Sequence, residues 1–145
     1  MKDETTNRLA GILKEVESKE AALEFSKNHS MDYGKLHNYI NDYIVKSGID
    51  IGVMIEKSGI STNYVYNILN GRTKKPGRDK VLALCIGVGM NLDEINRGLQ
   101  IAGHNRLYPK NPRDIYISYC INKGLKDVTL INLELEEQGL GLIEV

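Results

Sequence analysis

The chain predicts an all-α fold, and three features of its 145 residues point there. Apolar residues recur at helical spacing along nearly the whole length, not in strict alternation. Glycine, asparagine or serine falls at the ends of the periodic runs, where helices start and stop. A helical hairpin over residues 78–103 is used a second time further on. The predicted organisation is an N-terminal helical arm (1–33), a helix-turn-helix domain of about five helices (34–103), and a C-terminal helical hairpin (104–145). With 41% hydrophobic and 26% charged residues, the composition is that of a globular protein with one good core and room for a small satellite.

In chain order, residues from about Thr6 to Lys27 read as helical. Leu9, Ile12, Leu13 and Val16 form one stripe; Ala21, Ala22, Leu23 and Phe25 form a shorter second one, with a restart near Ser18. Helices this short are marginal alone, so the arm is expected to pack on the chain or on a partner subunit. Asn28 to Gly34 is the joint. Leu36, Ile40, Tyr43 and Ile44 then mark the buried face of a helix ending at Ser47-Gly48.

From Ile51 to Pro76 runs IGVMIEKSGISTNYVYNILNGRTKKP, a short helix, a break and a second helix. Met54, Ile55, Ile60, Val65, Ile68 and Leu69 are spaced so that two steeply crossing helices bury a common seam. Gly59 falls at the reversal, where positive φ is cheap for glycine. Ser61 is placed to cap the second helix. Thr62, Asn63, Tyr66 and Asn67 lie opposite Val65 and Ile68 and so point outward, and Gly71 ends the helix just before Arg72, Lys74 and Lys75. Hydroxyls, amides and a phenol in those positions suit base edges in a major groove. Ser61, at the helix start, joins Arg72, Lys74 and Lys75 as a phosphate candidate.

Val81, Leu84, Cys85 and Val88 give the next helix, stopped by Gly89. Asn91 with Glu94 three residues on makes a capping-box start for a helix carrying Ile95, Leu99 and Ala102, ended by Gly103. RDKVLALCIGVGMNLDEINRGLQIAG from Arg78 then realigns on RDIYISYCINKGLKDVTLINLELEEQG from Arg113. Arg-Asp, Cys-Ile and Gly recur in order; after one inserted residue, Ile95, Asn96, Leu99 and Gly103 recur as Ile131, Asn132, Leu135 and Gly139. Matching cysteines, Cys85 and Cys120, argue for small buried residues under one packing constraint. Asp79 and Asp114 suit the positive end of a helix dipole, and Asn111-Pro112 supplies a cap and first-turn proline. Two copies are too few for a solenoid, so the second is expected to stack on the first. The tail GLGLIEV reads either as a short strand or as a docking segment.

The stretch with Gly59, the helix Ser61 to Leu69 and Asn70-Gly71-Arg72-Thr73-Lys74-Lys75-Pro76 resembles the DNA-binding motif of the phage lambda repressor-like XRE family. Ile51 stands where that family usually has glutamine, and Ile55 where it usually has alanine. The resemblance implies that Thr62, Asn63 and Asn67 face base edges and that Arg72, Lys74 and Lys75 lie near phosphate. The hairpin tandem with LYPKNPRD between its copies is similar to a Gram-positive subgroup of such regulators, many with an N-terminal helical arm.

Formal net charge is zero, but residues 61–112 hold eight Lys or Arg against three acids, a local excess of five. Glu134, Glu136, Glu137 and Glu144 balance it elsewhere. The cysteines form no CxxC pair, and His29, His37 and His104 have no ligand spacing, so no metal, cofactor or disulfide is expected. No apolar run reaches a membrane span and the start lacks a signal-peptide core, which makes the cytoplasm the expected compartment. No phosphate loop, nucleophile elbow or HExxH motif supports an enzyme. The expected function is sequence-specific double-stranded DNA binding by a transcriptional regulator, as a homodimer. The alternative is a protein-interaction adaptor on the same fold, supported by the zero net charge, the missing glutamine and the tyrosines Tyr64 and Tyr66. No effector pocket is legible.

Overall fold

Seven helices organise residues 35–145, the part that the computed structural model describes; the N-terminal arm predicted over 1–33 lies outside it. They are α1 (Leu36–Ser47), α2 (Ile51–Ser58), α3 (Thr62–Leu69), α4 (Arg78–Val88), α5 (Leu92–Ile101), α6 (Pro112–Asn122) and α7 (Val128–Glu137). The described residues hold no strand, so the fold is all-α. None of the described helices is long and apolar enough to cross a membrane.

The helix boundaries follow the local chemistry. Asp50, Ser61, Asn111 and Asp127 each accept a backbone N–H of their own helix through the side chain. Asn91 and Glu94 form the reciprocal capping box that their spacing predicts. Gly59 ends α2 at φ 70° and lets the chain turn within three residues into α3.

One core runs from Ile40 on α1 to Ile143 in the tail. At its centre α4 is buried from Val81 through Val88. Gly87 explains how α2 comes so close: a Cβ there would lie 2.7 Å from the Met54 carbonyl oxygen and 2.8 Å from the Ser58 nitrogen. α2 rests on both α4 and α7, while α1 rests on α3, α4 and α5. Tyr39 Oη donates to the Glu94 carbonyl at 2.8 Å and Tyr43 Oη to the Gly89 carbonyl at 3.3 Å, tying α1 to the α4–α5 hairpin.

The two hairpin copies, α4–α5 and α6–α7, pack against each other. They face one another reciprocally. Arg78 pairs with Asp114 at 2.9 Å, and Arg113 pairs with Asp79 at 2.8 Å. Arg78 donates to the carbonyls of Asn105 and Arg106; Arg113 donates to those of Gly141 and Leu142. Asp114 accepts the Tyr108 N–H and Asp79 accepts the Glu144 N–H, both at 2.8 Å. Asn96 Oδ1 accepts the Leu107 N–H; Asn132 Oδ1 accepts the Ile143 N–H. Contacts exchanged in both directions are what a two-fold relation produces, so the copies are related by an internal pseudo-dyad.

The same bonds show that the repeat continues past 103. Residues 104–108 and 140–144 do equivalent work, each returning along its own hairpin to meet the Arg-Asp pair. The tail is therefore a docking segment, with Ile143 buried as Leu107 is in the first copy. The repeated aspartates sit in first helical turns as predicted, and their main work is to receive the opposite copy's arginine.

Asp114 is the more deeply buried of the two aspartates, with a side chain 6% exposed against 24% for Asp79. Removing a buried partner strands the remaining charge, so Asp114→Ala should destabilise the protein by about 3 kcal/mol and Asp79→Ala by roughly half that. Urea denaturation of both variants checks the order, and equal costs would contradict the burial argument. Both cysteine thiols are buried and free. Burial and the nearby Glu94 push the Cys85 thiol up from its usual 9 to about 12, and burial raises the Tyr39 phenol as well. These acids lose protons earlier when unfolded. Stability should hold below pH 9 and fall from there toward pH 12, which thermal melts across that range test.

Candidate nucleic-acid interface

α3 is held by one face and free on the other. Val65, Ile68 and Leu69 are buried, and Ser61 Oγ accepts the Tyr64 N–H at 3.3 Å to start the helix. Ser61, Thr62, Asn63 and Tyr66 are exposed, with Tyr66 at 47%, and Asn67 is half-buried. The α3 residues predicted to point outward thus do so, with Asn67 the deepest of them.

Beyond α3 the chain folds back on itself. The Thr73 N–H reaches the Asn67 carbonyl at 3.0 Å, and Asn70 Oδ1 accepts the Arg72 N–H at 3.0 Å. α1 supports this turn: Asn41 Nδ2 donates to the last-turn Leu69 carbonyl at 2.8 Å, and the His37 ring lies against Gly71. Pro76 is buried, and its carbonyl meets His104 Nε2 at 2.8 Å. Between these anchors Arg72, Lys74 and Lys75 are exposed. The loop backbone is fixed while its cationic side chains remain in water, beside the polar face of α3.

Several supporting residues were not singled out by sequence reading. Lys80 on α4 stands 4.9 Å above the Tyr64 ring and donates to the Val145 carbonyl at 2.8 Å, coupling the tail to α3. Val145 Cγ2 would lie 3.3 Å from a Cβ on Gly59, so the tail also meets the α2–α3 turn. No local pattern announces these contacts, because Lys80 and Val145 are 65 residues apart. The outward side of α2 differs in character from the basic loop: Asp50, Val53 and Glu56 are exposed there, two acids around an apolar residue. Among the described residues, no group of three His, Cys, Asp or Glu could hold a metal ion.

No family model, curated protein or solved structure matches the chain.

Gly71 has φ 78°, and a Cβ there would meet the His37 ring at 3.1 Å. Gly71→Ala should therefore cost more than the roughly 1–2 kcal/mol of left-handed strain alone. Gly103 is the control, since at φ 85° a Cβ meets nothing within 4 Å. Denaturation of both variants should rank Gly71→Ala as the worse. The reverse ranking would mean that His37 does not hold the loop.

Proposed function

We propose that this chain is a sequence-specific, double-stranded-DNA-binding transcriptional regulator of the phage lambda repressor-like XRE type. It is read as working in the cytoplasm, without metal, cofactor or catalytic chemistry of its own. The observation that carries the proposal is the polar face of α3, with Thr62, Asn63 and Tyr66 exposed and Asn67 half-buried beside them, directly followed by the exposed Arg72, Lys74 and Lys75.

The division of labour follows from charge and geometry. Arg72, Lys74 and Lys75, with Ser61 and the amides at the start of α3, neutralise or bond phosphates and supply salt-dependent affinity that carries no sequence information. The amides and hydroxyls of Thr62, Asn63 and Asn67, with the Tyr66 phenol, read base edges in the major groove; an asparagine can bond adenine through two groups at once. Burial of Val65, Ile68 and Leu69 fixes the helix that presents them. One unit of this size covers little DNA, so a homodimer on two half-sites about 34 Å apart is the expected working form.

A second reading, a protein-interaction adaptor, is favoured by one observation. The exposed face of α2 offers Asp50, Val53 and Glu56 where a DNA-binding protein would gain from cations. Its acids repel phosphate, and its apolar centre suits a protein surface.

A salt-titrated binding assay on random-sequence DNA, followed by site selection, separates the two. Asn67→Ala should relax base preference at one position by about 1–3 kcal/mol. Lys74→Ala with Lys75→Ala should weaken all sequences alike and flatten the salt slope by about two. An unchanged slope in the double variant removes the phosphate assignment; absence of DNA affinity in the parent leaves the adaptor reading.

A further inference from the structure

The internal two-fold fails at one face. In the first hairpin α1 lies over α4 and α5, and it comes close because residue 98 is glycine: a Cβ there would lie 3.0 Å from Cys85 Sγ and 3.5 Å from the Tyr39 ring. Glu94 and Arg97 of the same helix are half-buried. The repeat puts Leu130, Leu133 and Glu134 where the first hairpin has Glu94, Arg97 and Gly98, and Tyr119 where it has the buried Leu84.

Among the described residues the matching face of α6–α7 lies open. Tyr119 is 50%, Leu130 48% and Leu133 58% exposed. The chemistry is the reverse of what exposure alone selects: the covered hairpin carries two charged residues at these places and the open one carries two leucines. The patch is continuous from one helix to the other. Lys123 Nζ stands 5.3 Å above the Tyr119 ring and 3.7 Å from Glu134, and the half-buried Tyr116 ring lies 5.5 Å from that of Tyr119. A helix seated as α1 is does not fit here, because Glu134 stands where Gly98 gives α1 its room. What fits is a broad contact made through side chains.

We propose that the outer face of α6–α7 is the contact between two copies of this chain, each using the same residues.

Charge singles out a second copy as the occupant. Lys123 lies at the end of the hairpin where α6 gives way to α7, and Glu137 closes α7 at the opposite end; both are exposed. Leu130, Leu133 and Glu137 follow one another at helical spacing, so the glutamate continues the leucine stripe. A two-fold axis through the middle of the face lays the lysine end of each copy on the glutamate end of the other, with Tyr119 and the leucines at the centre. The face is complementary to itself, whereas a partner of one charge sign meets a like charge at one end. An aromatic and aliphatic centre within a charged rim is also the composition of a homodimer contact. The pair so formed is the homodimer of the proposed function, and its use on two half-sites rests on that reading.

Sedimentation of the full chain without DNA, across a concentration series, tests the contact. The parent should show a monomer–dimer equilibrium. Leu133→Glu should raise the dimer dissociation constant at least about tenfold while keeping the parent's helical circular dichroism. Val45→Glu is the control: Val45 is an exposed apolar residue of α1, 79% in water, and its replacement should leave the equilibrium unchanged. Lys123→Glu should weaken the dimer, and Glu137→Lys added to the same chain should restore it, since the exchanged charges meet again across the axis. A parent that stays monomeric, a dimer indifferent to Leu133→Glu, or an exchanged pair without recovery would each overturn the proposal. A parent that dimerises through this face and binds no DNA would keep the contact and remove the regulator reading instead.

Discussion

Two crossed ion pairs hold the architecture together. Arg78 reaches Asp114 and Arg113 reaches Asp79, and each arginine also gathers two carbonyls of its own hairpin's returning loop. Each aspartate takes a backbone N–H from the opposite copy. Ion pairs withdrawn from water repay their desolvation only when the remaining donors and acceptors are satisfied, and this network satisfies them with main chain. The reward is specificity: an apolar seam alone could slide, whereas two forked guanidiniums meeting two carboxylates fix one register.

The candidate interface depends on that register at a distance. Arg113 and Asp79 hold Gly141 to Glu144, and the tail they position delivers Val145 to the α2–α3 turn and to Lys80. Lys80 in turn covers the Tyr64 ring at the start of α3. The end of the second copy therefore braces the helix with the exposed polar face. From the other side α1 does the same through Asn41 and His37. A short helix of eight residues has little stability of its own, and these contacts keep it in place while its outer face stays in water.

Legibility differed from element to element for identifiable reasons. The helices from Leu36 to Glu137 were readable because caps, positive-φ glycines and apolar spacing are local properties, acting within four residues. The outward face of α3 was readable for the same reason, since at 3.6 residues per turn Asn63, Tyr66 and Asn67 are rotated away from Val65 and Ile68. The repeat was visible as recurring residues, but its last five were hidden: GHNRLY and GLGLIE share only their first residue, because the equivalent work there is done by backbone carbonyls and amides.

By itself the sequence determined an all-α chain, the placing of its caps and turns, the doubling of a hairpin and the amphipathic character of α3, since each depends on neighbours along the chain. Tertiary structure decided how the doubled hairpins meet. A dipeptide repeated 35 residues later is compatible with a translated stack or with a dyad, and only the directions of the two guanidiniums in space distinguish them. It also decided that the tail is a brace, that Gly87 admits α2 to within contact of the α4 backbone, and that, among the described residues, a groove between α5 and α6 stays open. Those outcomes depend on distances between residues far apart in the chain, a quantity that spacing along a sequence does not contain.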